Sequence, residues 1–87
     1  MTLDEQKQLI ELMSKYNTID RKIIQSNLVY HIDASGYKNK FIAEKMRVTD
    51  QTIYGWRKSD KFNIPTFETA LKLCDLLQIP ITELLKN

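Results

Sequence analysis

The stretch Asn39-Lys40-Phe41-Ile42-Ala43-Glu44-Lys45-Met46-Arg47-Val48-Thr49-Asp50-Gln51-Thr52-Ile53-Tyr54-Gly55-Trp56 decides the fold. Ile42, Ala43, Met46, Val48, Ile53 and Trp56 fall where two crossed helices would touch. Lys40, Lys45, Thr49, Gln51, Thr52 and Tyr54 fall between them, at positions left outside. This spacing predicts two short helices, over 39–46 and 50–58, joined by the turn Arg47-Val48-Thr49. Thr49 is the natural N-cap of the second. The pattern is that of a helix-turn-helix.

Outward from this stretch the apolar spacing remains helical. A first helix is expected over 3–16, with Leu9, Leu12, Met13 and Tyr16 on one stripe, and Asn17-Thr18 breaks it. Asp20 fits as N-cap of a helix over 21–35, whose inner face is Ile24, Leu28 and Ile32, helped by Ile23 and by Tyr30 or His31. Gly36 ends that helix at a position needing positive φ. A polar loop over 59–64 precedes a helix capped by Thr66 that carries Phe67, Ala70, Leu71, Cys74 and Leu77. Gln78-Ile79-Pro80 ends it, and residues 81–85 make one or two closing turns. No segment alternates with period two, so the expected fold class is all-α.

Eighty-seven residues make one domain with one core. With 43% hydrophobic residues, two Gly and two Pro, a helical fold is attainable without staples. The single Cys excludes an intramolecular disulfide and suits a reducing cytosol. No apolar run reaches the roughly 20 residues of a membrane span, and Met1-Thr2-Leu3-Asp4-Glu5 lacks a signal-peptide pattern. A soluble cytoplasmic protein with no membrane partner is expected. One His and one Cys cannot assemble a zinc site. His31 reads as a core-edge imidazole and Cys74 as a small buried hydrophobe. The acids Asp4, Glu5, Asp60 and Glu68 have no catalytic companions, so neither an enzyme nor a cofactor is expected.

The net charge of +2 decides little, but its distribution does. Residues 1–20 carry −2, whereas 36–62 carry +4 from Lys38, Lys40, Lys45, Arg47, Arg57, Lys58 and Lys61 against Glu44, Asp50 and Asp60. The basic excess coincides with the helix-turn-helix, as an electrostatic footprint for phosphate should. Duplex DNA is therefore the expected partner. Asp50, Gln51, Tyr54, Gly55 and Lys58 lie away from Ile53 and Trp56. Gln51 can bond adenine bidentately, Thr52 can meet a base edge, a thymine methyl or a phosphate, and Asp50 can accept from cytosine or serve the helix dipole. Lys38, Asn39 and Lys40 open the first helix of the motif toward a phosphate chain, and Arg57, Lys58 and Lys61 clamp phosphates at the far end of the second. The capping hydroxyl of Thr49 joins this phosphate set.

Residues 36–85 resemble the lambda-repressor-like helix-turn-helix domain of Xre/Cro type, found in bacterial and phage transcriptional regulators. Gly36-Tyr37-Lys38-Asn39-Lys40-Phe41-Ile42-Ala43 is similar to the family's glycine and Ala-containing second helix. Val48-Thr49-Asp50-Gln51-Thr52-Ile53-Tyr54-Gly55-Trp56 is similar to its valine, capping hydroxyl, polar triplet, isoleucine and tryptophan. Pro65-Thr66-Phe67-Glu68-Thr69 and Leu77-Gln78-Ile79-Pro80-Ile81-Thr82-Glu83-Leu84-Leu85 match its fourth and fifth helices. The resemblance implies a five-helix domain over 18–87, preceded by an extra helix within 1–17. It also implies base reading at Asp50, Gln51 and Gly55, and backbone contacts at Asn39 and Lys58. Arg47 replaces the family's turn glycine, and Arg57 replaces a common glutamate.

These features lead to the expectation of a small repressor, of phage or mobile-element type, that binds a pseudo-palindromic operator as a homodimer. Expected dimer contacts are Leu9, Leu12 and Met13 of the first helix and Ile81, Leu84 and Leu85 of the closing turns. The same stripe on the first helix serves equally as a cover for the domain's own core. The rival is a protein-interaction module on the same fold: an antirepressor, an inhibitor or an antitoxin.

Overall fold

The computed structural model describes residues 1–58 and 63–87. In chain order it contains α1 (Leu3–Thr18), α2 (Arg21–Ser35), α3 (Asn39–Met46), α4 (Asp50–Arg57), α5 (Phe67–Leu77) and a closing 3₁₀ helix (Ile81–Leu85). The domain is all-α, as the spacing predicts.

Local chemistry sets the helix boundaries. Thr2 caps α1 in a reciprocal box, its hydroxyl accepting from the Glu5 N–H while the Glu5 carboxylate accepts from the Thr2 N–H. Asp20 accepts from Lys22 N–H at α2, Thr49 from Thr52 N–H at α4 and Thr66 from Thr69 N–H at α5. Gly36 sits at φ 75° past the end of α2, the left-handed conformation expected of it. Two boundaries move. α1 runs to Thr18, whose hydroxyl donates back to Ser14 O at 2.9 Å, the bond by which a threonine is accommodated in a helical turn. α4 ends at Arg57, one residue early.

The core gathers the inner faces of every element. Ile24, Leu28 and Ile32 of α2 meet Ile42 of α3, Ile53 of α4, Leu73 of α5 and Leu84 of the 3₁₀ helix, all fully buried. Removing one such aliphatic side chain from water stabilises the fold by about 1.5–3 kcal/mol. Trp56, Phe67 and Cys74 are buried with them. From α1, Tyr16 enters this core, and Leu9 and Leu12 lie partly buried against it. On α2, Tyr30 is exposed, and the half-buried His31 lies 3.7 Å from Glu83.

Candidate nucleic-acid interface

The turn between α3 and α4 fixes how the second helix is presented. Arg47 adopts φ 58° and ψ 43°. Its N–H donates to Glu44 O at 3.3 Å, and Val48 N–H donates to Ala43 O at 3.0 Å. These paired bonds close α3 as a Schellman motif, with half-buried Val48 tucked under the end. An arginine thus occupies a left-handed position at a cost of about 1–2 kcal/mol, which the two hydrogen bonds and the Val48 contact offset.

From this turn α4 runs with Ile53 and Trp56 buried. Gln51 and Tyr54, three residues apart, stand on its exposed face, and Lys58, extended and exposed, caps its end. Asp50 is exposed in the first turn, where a carboxylate complements the helix dipole. Thr52 is half-buried, and its hydroxyl lies 3.0 Å from the Thr49 hydroxyl, so both belong to the helix cap. Gly55 turns toward the chain that follows the helix: a Cβ placed there would lie 3.0 Å from Asn63 Nδ2. The exposed face of α4 is therefore centred on Gln51 and Tyr54, with Gly55 at its edge and Lys58 just past its end.

α2 braces the far end of α4. Gln25 is buried, and its side-chain amide donates to Trp56 O at 2.9 Å and to Lys58 O. Helix ends leave carbonyls without intrahelical partners, and Gln25 serves two of them. The sequence carries a signal for this residue: Gln25 precedes Leu28 and Ile32 by three and seven positions, in line with the apolar stripe. A glutamine there must face inward. Arg57, a phosphate candidate from the sequence, donates from Nη2 to Asp33 Oδ1 of α2 at 2.5 Å. A carboxylate at the end of a neighbouring helix captures the guanidinium.

The start of α3 falls within the basic stretch of the sequence. Lys38 and Lys40 are exposed and Asn39 is half-buried. Tyr37 and Phe41 face one another at 4.7 Å between centroids, and Lys45 Nζ lies 5.6 Å from the Phe41 ring. Lys61 lies outside the described residues.

A family model described as a Cro/C1-type HTH DNA-binding domain matches residues 27–86, more than half of the chain. The chain belongs to this Cro/C1-type family. No curated protein and no solved structure matched it. Membership supports DNA binding by a regulator, in a family that is typically non-enzymatic. The matched region begins within α2, so α1 lies outside it.

The Cro/C1-type fold also relocates the residues expected at a dimer contact. Ile81, Leu84 and Leu85 are buried in the chain's own core, because the closing turns fold back onto α2. Their side chains are spent on packing and cannot form a surface for a second copy. Leu9 and Leu12 lie partly against the core, whereas Met13 remains exposed. Among the described residues no helix is long and apolar enough to cross a membrane, and no cluster of His, Cys, Asp and Glu could hold a metal.

Proposed function

We propose that the protein is a small transcriptional repressor of bacterial or phage type. It works in the cytoplasm and reads an operator half-site with α4. The observation that carries this is the face of α4 opposite buried Ile53 and Trp56, where Gln51 and Tyr54 stand exposed, with exposed Lys58 just past the helix end. Gln51 and Tyr54 meet base edges, with Asp50, Thr52 and Gly55 flanking them. Lys38, Asn39 and Lys40 at the start of α3 grip one phosphate run, with Thr49 at the cap and Lys58 at the far end. A helix of this length reads only a few base pairs, so two copies on half-sites roughly 34–36 Å apart supply useful specificity.

Titration of labelled duplexes selected from a random library, over a range of salt, tests the reading. The logarithm of affinity falls with log salt at about −0.9 per phosphate contact. Gln51→Ala relaxes the selected sequence, whereas Lys40→Ala weakens all duplexes alike. A flat salt dependence, or no binding below micromolar at low salt, would turn the reading toward a protein-interaction module on this fold.

A further inference from the structure

The Arg57–Asp33 pair joins α4 to the last turn of α2 across 24 residues of sequence. Arg57 sits on the flank of α4 between buried Ile53 and exposed Tyr54, and Lys58 beside it is exposed. Its side chain is 28% exposed and that of Asp33 is 58% exposed, so the pair lies at the rim of the fold and not within it. A groove of about 390 Å³, lined by Gln25, Ser26, Val29, Tyr30 and Arg57, runs along the same rim.

An arginine here, one residue from the reading face, is long enough to swing to a DNA backbone. Asp33 occupies its Nη2 and cancels its charge locally. A free arginine would add a phosphate contact that carries no sequence information. We infer that Asp33 is a positioning residue that withholds Arg57 from phosphate. It thereby sets total DNA affinity and salt sensitivity while leaving base selectivity to α4. The inference rests on the DNA-binding reading above.

The test compares wild type, Asp33→Ala, Asp33→Glu, Arg57→Gln and the Asp33→Ala/Arg57→Gln double variant on a selected operator and a scrambled duplex. Asp33→Ala raises affinity for both duplexes by the same factor. It steepens the salt slope by about 0.9, equal to about 3.5-fold more affinity lost between 50 and 200 mM salt. Asp33→Glu restores wild-type behaviour, and the gain disappears in the Arg57→Gln background. A role confined to stability would lower the melting temperature without steepening the slope.

An Asp33→Ala variant that binds as wild type, or more weakly, overturns the inference. So does a gain that persists without Arg57, since it would come from the carboxylate's own repulsion of phosphate. If wild type binds no duplex even at low salt, the DNA reading itself falls and takes this inference with it.

Discussion

The Tyr16 hydroxyl donates to the carbonyl of Pro65 at 2.6 Å, 49 residues away in sequence and buried at both ends. The same ring meets Phe67 edge-on, with centroids 5.6 Å apart. One side chain thus fastens α1, outside the matched family region, to the approach of α5. Tyr16→Phe keeps the ring and removes the donor. The Pro65 carbonyl then loses its partner, which costs about 1–2 kcal/mol in urea denaturation. Stability unchanged in that variant would show that water replaces the bond.

Gln25→Met preserves length and much of the volume while deleting both donors to the end of α4. Two carbonyls at the end of α4 are left without this partner, and stability falls by about 1–3 kcal/mol. Chemical denaturation measures the loss. If the variant matches wild type, Gln25 is only a space filler.

Arg47→Gly relieves the left-handed turn. The conformational cost of about 1–2 kcal/mol disappears, and the greater freedom of glycine in the unfolded chain takes back about 0.5–1. A net gain of about 0.5–1 kcal/mol is expected as a higher thermal midpoint. A loss would mean that the Arg47 side chain contributes more than its backbone costs.

Alkaline titration reports on the core. Burial pushes the Cys74 thiol from 9.0 up to about 11. Burial also raises the Tyr16 phenol well above its ordinary value, against a smaller lowering by Arg21. Both folded-state values lie above the unfolded ones, so their stabilising contribution is complete below about pH 9. It is lost as pH rises, toward 11 for Cys74 and past it for Tyr16, because the unfolded chain gives up these protons first. The urea midpoint should therefore decline between pH 9 and 11, and Cys74→Ala should blunt the first part of that decline. A midpoint that stays level to pH 11 would contradict the burial of both groups.

Much of this arrangement is legible in the sequence because its signals are local. Asp20, Thr49 and Thr66 each precede a helical stripe, and a hydroxyl or carboxylate there caps whatever helix follows. The Thr2–Glu5 box is equally local, being a threonine and a glutamate three residues apart. What escapes a linear reading is partnership at a distance. Ile81, Leu84 and Leu85 look alike whether they face a second copy or α2, and only the folded chain decides. Arg57 reads as a phosphate clamp until Asp33 lies beside it. Gln25 lies in line with an apolar stripe, but the carbonyls it serves belong to residues more than thirty positions away.

Gly55 gives the exposed face of α4 an unexpected rule of change. The first carbon of any side chain placed there meets the amide of Asn63. Alanine requires only that the end of Asn63 shift, but a longer residue reaching for a base needs position 63 to shorten or swing away. Among descendants of this chain, a new preference acquired through position 55 should therefore arrive with a companion substitution at 63. The two positions would drift as a pair, although position 63 lies outside the helix.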